Sequence, residues 1–191
     1  DEFFDCAKNP DLRFIVSNTT EAGIEYKPNQ NPDDFNGLTF PGRLTLFMKK
    51  RFDEGLGGFI LLPCELIDKN GDNLKECILK YSVDWGYGGE FEKWIETENH
   101  FTNTLVDRIV TGYPRDNAKE MEQSYGYLDD MIDTAEIFHL WVIEGDKKLA
   151  EEIPFHKIGL NVLWTDDVTP YKKRKVRILN GAHTMTVLAA H

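Results

Sequence analysis

Residues 58–63, Gly-Phe-Ile-Leu-Leu-Pro, are the longest apolar run of the chain, and they restrict its fold more than any other feature. Four large apolar side chains in a row read as a strand covered on both faces. The run is far shorter than the ~18–20 apolar residues that cross a bilayer. Upstream, Pro41 to Phe52 sets Leu44, Phe47 and Met48 on one helical face, with Pro41 suited to the first turn. Downstream, Asn70-Gly-Asp72 opens a second helix with Leu74, Ile78 and Tyr81 on its apolar side. Leu12–Ser17 is a shorter β-branched and aromatic run, read as a strand. Strand, helix, strand, helix with an uninterrupted apolar strand predicts a parallel α/β sheet.

Further along, Glu90–Asn99 and Asp116–Ser124 are acidic helical patterns on either side of residues 101–110. Ala135–Ile143 and Leu160–Trp164 read as two more strands. From Thr169-Pro170 onward the pattern is again helical, with Thr169 as the expected cap and Pro170 in the first turn. The expected organisation is residues 1–168 as one domain and 169–191 as the start of another.

With 41% hydrophobic and 12% aromatic residues, the 191-residue chain has the material for a core and is not disordered. Its 33 acids against 22 bases give a net charge of −11, which argues against nucleic-acid binding. Cys6, Cys64 and Cys77 form no C-x-x-C pair, pointing to a reducing, cytoplasmic setting. The first residues, Asp-Glu-Phe-Phe-Asp, are not a signal peptide, and no membrane span is expected. The chain begins without Met and ends inside the apolar helical pattern 185–191, so a piece of a longer protein is expected.

The chemistry concentrates in four places. Lys172-Lys-Arg-Lys175-Val-Arg177 gathers five bases in an otherwise acidic chain; alone it fits a solvated helix face. On an α-helix, however, Asn180 and His183 lie about 140° and 80° round from Lys175, within one broad face. An amine, an amide and an imidazole so placed can cradle a carbonyl or hydroxyl oxygen, and nearby arginine with partial desolvation tunes a lysine for acid/base work. His183 by itself reads more readily as an ordinary interior histidine. Asn103 in Phe101–Arg108 is either an oxyanion donor or the cap of a following helix, and Asp107 with Arg108 a structural pair. Ser17-Asn-Thr-Thr-Glu-Ala-Gly23 follows a strand, where open α/β sheets bind ligands. Gly55-x-Gly-Gly58 and Gly86-Tyr-Gly-Gly89 both fail as G-x-G-x-x-G loops. Histidines 100, 139, 156, 183 and 191 have no ligand spacing, so no metal site is implied.

Taken together, Lys175-x4-Asn180-x2-His183 within 171–184 resembles the K-x4-N-x2-H motif of the polyol-specific long-chain dehydrogenase/reductase family. Asn103–Ile109 resembles its N-S-M-V-D-R-I segment and Ser17–Gly23 its T-x-T-E-G-G loop. Thr111–Arg115, Leu140–Gly145 and Asp167–Tyr171 follow in the family's order. The resemblance implies the distal part of a Rossmann-like NAD-binding domain with added helices, then the first helix of an α-helical domain. It implies NAD as cofactor and a small sugar acid as substrate. It makes Lys175 the general acid/base, Asn103 and Asn180 the alkoxide donors, and His183 a substrate-positioning group. Ser17, Asn18, Thr19 and Glu21 would face the cofactor, whose phosphate loop would lie upstream of Asp1. A sugar acid of different stereochemistry, a neutral polyol, or a fragment inactive by itself are the alternatives.

Overall fold

The computed structural model describes residues 2–190, the side chain of Leu188 excepted; Asp1 and His191 lie outside the described residues. Helix α1 (Glu2–Ala7) precedes strand β1 (Phe14–Ser17), helix α2 (Phe40–Asp53) and strand β2 (Ile60–Pro63). Helices α3 (Asn70–Asp84) and α4 (Gly89–Glu98) then lead to β3 (His100–Phe101). β1, β2 and β3 form a parallel sheet in that order, with Phe14 opposite Ile60 and Ile60 opposite His100. The central run behaves as its composition requires. Phe59 and Leu61 pack against Leu44 and Met48 of α2, Leu74 and Ile78 of α3, and Ile95 of α4. Ile60 and Leu62 turn the other way, into Ile143, Leu149, Ile153 and Val162. That second face is covered by two short 3-10 segments, Lys147–Glu151 and Phe155–Ile158, where a full helix would be usual.

The second half departs from the parallel pattern. Strand β4 (Asn103–Asp107) pairs antiparallel with β7 (Leu140–Glu144), which pairs parallel with β8 (Val162–Thr165). Residues 103–108 are therefore no cap before a helix: Thr104-Leu-Val106 suits a half-buried strand, and β7 offers five partners in register. Residues 135–143 are likewise not one strand. Their start pairs back as β6 (Thr134–Ala135) with β5 (Val110–Gly112), around helix α5 (Ala118–Tyr125), and only their end joins β7.

Asn70 joins the two halves of the sheet. Its buried amide donates to the carbonyls of Pro63, Glu65 and Thr104, and its oxygen accepts from the backbone N–H of Thr104 and of Gly71. The neighbouring Gly71 lies against the Thr102 carbonyl, where any Cβ would overlap it. Asn70→Ala leaves these buried backbone groups unpaired and is expected to lower the unfolding free energy by about 2 kcal/mol, read from denaturant melts.

A long polar connection, residues 18–39, is fastened over α3. Tyr26 donates to Asp84 at 2.5 Å, and that hydrogen bond, with some burial, pushes its phenol up to about 12. Burial, with nearby aspartates, pushes Tyr87 up to about 12 as well. Raised phenols stabilise the fold fully below the ordinary tyrosine value of ~10 and lose that contribution as pH climbs through about 12. Melting temperature followed through this range should therefore fall, and fall less steeply in Tyr26→Phe.

Candidate active site

Three strands end at one place. The chain leaves β1 at Ser17, β2 at Pro63 and β4 at Asp107, and between these ends lies an open cavity of about 540 Å³. Asn18, Thr20, Glu21 and Ala22 line it from the loop after β1. Cys64 and Leu66 line it from the turn after β2; Val106 and Asp107 line it from β4, Arg108 from the residue after it, and Lys175 closes it.

Glu65 shapes this cavity from behind. It is 1% exposed, and its carboxylate accepts from Ser17 Oγ at 3.1 Å, Thr19 N–H at 3.0 Å and Thr19 Oγ1 at 2.9 Å. With Ser17 and Thr19 pinned, the chain turns through Thr20 at φ +77° and presents Asn18 and Glu21 to the cavity. A threonine in the left-handed region is uncommon and stands here because the Glu65 anchor fixes its neighbours. Beside it, burial pushes the Cys64 thiol up to about 11, so this wall is an unreactive SH at neutral pH.

Lys175 arrives on a helix running alongside β4. The helix begins as α6 (Thr169–Arg174), continues as a π-helical segment, Lys175–Asn180, and ends as α7 (Gly181–Ala189). Its start is tied down three ways. Glu144 Oε2 accepts the Val168 N–H at 2.7 Å, Asp167 Oδ1 accepts the Thr169 N–H at 2.8 Å, and Lys172 meets Asp68 at 2.8 Å. The expected cap was Thr169, but Asp167 performs that task, and its bonding to Thr169 holds its carboxyl below the usual range. Val168 itself is buried with Leu105 and Val142. Two turns on, Lys175 Nζ donates to the Val106 carbonyl at 3.1 Å and pairs with Asp107 Oδ1 at 3.2 Å. Both side chains are only 14% exposed, which separates this pair from the mobile ion pairs of the surface.

Of the residues expected from sequence, Lys175, Asn18 and Glu21 meet in this cavity, whereas Ser17 and Thr19 brace the loop through Glu65. Asn103 does not join them. It starts β4, roughly 13 Å of strand from Asp107, and its amide donates to Asp72 at 3.2 Å and Glu144 at 3.0 Å while its oxygen accepts the Asp72 N–H. Asn180 and His183 are exposed and do not line the cavity. The π segment also alters their bearing: i→i+5 bonding widens the turn, so Asn180 lies closer to the Lys175 direction than the ~140° of an α-helix. The lysine's neighbour is Asp107, while Arg174 and Arg177 are exposed; Asp107 and Arg108 form no ion pair. Glu65 had a signal in the sequence, a single acid within Leu62-Pro-Cys-Glu-Leu-Ile67 after a buried strand. Asp107 and Glu144 had none beyond their motifs, since their partners are distant in sequence.

Residues 1–157 match the mannitol dehydrogenase Rossmann domain. The chain belongs to the mannitol dehydrogenase family. It is 50% identical over 194 aligned residues to the altronate oxidoreductases of Enterobacter sp. (strain 638) and Shigella flexneri. All of this chain is covered in those alignments, but it spans only 40% of those relatives' length. Among solved structures, D-sorbitol dehydrogenase in substrate-free form superposes with a TM-score of 0.73 at 25% identity, covering 96% of this chain and 40% of that one. The Pseudomonas fluorescens mannitol 2-dehydrogenase complex with NAD and D-mannitol gives 0.72 at 23% identity, covering 95% and 39%, a likeness of fold. The Rossmann-like α/β assignment of this family member therefore stands, with the antiparallel β4–β7 pair as its local departure. No described helix is long and apolar enough to cross a membrane.

Proposed function

We propose that the protein carrying this chain is an NAD-dependent oxidoreductase that interconverts altronate and tagaturonate in the cytoplasm. The observation that carries the reading is Lys175, held by Asp107 and Val106 inside a cavity at the ends of parallel strands. The 50% identity to altronate oxidoreductases over the whole chain selects the substrate class.

The cavity suits the reactive end of a nicotinamide cofactor. Leu66 and the protonated Cys64 give it an apolar wall, and the Asn18–Ala22 loop gives it a polar rim on which the cofactor would rest. When bound, NADH supplies the hydride for ketone reduction. Lys175 then gives its proton to the ketone oxygen, and in altronate oxidation it takes the hydroxyl proton. Asp107 keeps the amine on the cavity side of the helix in both directions. Asn180 and His183, further along the same helix, flank the substrate on its outer side as alkoxide donor and hydroxyl partner. Asn103 is given a bracing role instead.

From Val176 to Ala190 the described side chains are exposed, Gly181 excepted, including Ile178, Leu179, Met185 and Val187. This apolar helix supports residues 169–191 as the start of a second, helical domain that would close over the cavity. The sugar acid is the partner the site is suited to; a nucleic acid is not, given the net charge of −11. NADH oxidation by the complete protein with tagaturonate, fructuronate and fructose tests the proposal. Preference for tagaturonate is expected; preference for either other ketose would replace the substrate, and turnover of none would end the reading.

A further inference from the structure

The helix that carries Lys175 begins at the far end of β4 from the cavity it serves. Strand β8 runs antiparallel to β4, so the chain leaves β8 at Thr165, in line with Glu144 and Asn103, and turns back. Thr165 Oγ1 accepts the Asp167 N–H at 3.2 Å, and Glu144 Oε2 then receives the Val168 N–H at 2.7 Å. Seven residues later Lys175 meets Val106 and Asp107. Seven helical residues rise about 10.5 Å and the strand from Asn103 to Asp107 covers about 13 Å, a difference the lysine side chain spans. A helix started one residue early or late would turn Lys175 by about 100° and shift it about 1.5 Å along the axis, away from Asp107.

Of the ties at the start of this helix, the one to Glu144 fixes the register. The Asp167 cap on Thr169 lies within the segment and moves with it. Lys172 reaches Asp68, whose side chain is 84% exposed, a surface pair of little rigidity. The Val168 side chain packs with Leu105 and Val142, but apolar contact has no direction along the helix axis. The Glu144 bond instead joins a strand to one backbone amide, and its carboxylate is itself aimed. Oε1 accepts from Asn103 Nδ2 at 3.0 Å, while buried Asn103 also donates to Asp72 Oδ2 at 3.2 Å and accepts the Asp72 N–H at 3.1 Å. Glu144 and Asn103 thus link α3, β4 and β7 to the start of α6.

We propose that Glu144 is a positioning residue for proton transfer: by holding the Val168 amide it sets the helix register that delivers Lys175 Nζ to the cavity. Asn103 assists by orienting the Glu144 carboxylate, and neither side chain lines the cavity. This rests on the reading of Lys175 as the acid/base group and adds the residue that determines where its amine stands. The position calls for a carboxylate, because both of its neighbours are N–H donors and two accepting oxygens satisfy both. Glutamine accepts on one oxygen and turns an NH2 group toward the other donor. Aspartate, one methylene shorter, cannot reach both.

The test is a double-mutant cycle in the complete protein: kcat for tagaturonate reduction by the unmodified protein, Glu144→Gln, Lys175→Ala and the double variant. Displacement of the acid/base amine predicts that Glu144→Gln lowers kcat by about 10- to 100-fold, with the KM for tagaturonate and for NADH each within about twofold. In the Lys175→Ala background the same substitution should change kcat by less than about twofold, because the group it positions is gone. Equal falls in both backgrounds, or no fall in the unmodified one, overturn the assignment, since a purely structural role acts in either background. If melting curves show that Glu144→Gln does not fold, Glu144→Asp goes through the same cycle and is judged by the same outcomes. If Lys175→Ala alone keeps full kcat, the reading of Lys175 fails first and the role of Glu144 falls with it.

Discussion

Lys175→Ala should lower kcat for tagaturonate reduction by about 100- to 10,000-fold, the range over which positioned acid/base groups act. The expectation rests on geometry: among the cavity's residues, Lys175 is the amine, it is 14% exposed, and its two contacts direct Nζ to the cavity side of its helix. Alanine also leaves Asp107 without its partner, so a loss of stability could imitate a loss of chemistry. Lys175→Arg separates the two. Arginine keeps the positive charge and the Asp107 pair, but its guanidinium does not deprotonate in proteins and cannot cycle a proton. The arginine variant should therefore melt close to the unmodified protein and remain as slow as the alanine variant. Initial rates of NADH oxidation, with melting curves alongside, measure both quantities.

Glu65→Ala should destabilise the fold by about 3 kcal/mol and raise the KM for NADH. The side chain is buried and accepts three hydrogen bonds, each of the charge-assisted kind worth ~1.5–3 kcal/mol before the cost of burying the carboxylate is set against it. Its removal frees Ser17 and Thr19, and the strained Thr20 conformation, φ +77°, has nothing left to hold it. The loop bearing Asn18 and Glu21 then leaves the cavity. Glu65→Gln is the milder companion: one amide oxygen still accepts, but the NH2 group faces hydroxyl and amide neighbours, so an intermediate effect on both readouts is expected. Denaturant unfolding and NADH titration of the complete protein check these outcomes. A Glu65→Ala variant as stable as the parent would remove the anchor from the account.

The parts of this molecule legible in its sequence are those fixed by local pattern. The buried strand at 60–63, the helices at 40–53 and 70–84 and the long helix from 169 follow from apolar spacing and from proline and asparagine at element ends. What the sequence hid was pairing between distant segments. Residues 103–107 become a strand because β7, some forty residues later, supplies the ladder, and that choice sets Asn103 at the far end of β4 from the cavity that Lys175 lines. Similarly, the Lys175 environment depends on Asp107, sixty-eight positions earlier, not on the adjacent arginines that the local pattern emphasises. The π-helical turn at 175–180 is a further limit, because angular bookkeeping at 100° per residue assumes the α-helix it replaces.

Amine rescue of Lys175→Ala addresses the role of Lys175 most directly. Methylamine, ethylamine and other small amines would be titrated into tagaturonate-dependent NADH oxidation by the variant, with tetramethylammonium as a salt control. If Lys175 moves the proton, turnover rises with amine concentration, its slope follows amine basicity, and tetramethylammonium has no effect. Turnover in the variant equal to that of the unmodified protein without any amine, or an identical rise with tetramethylammonium, would contradict a proton-transfer role for Lys175.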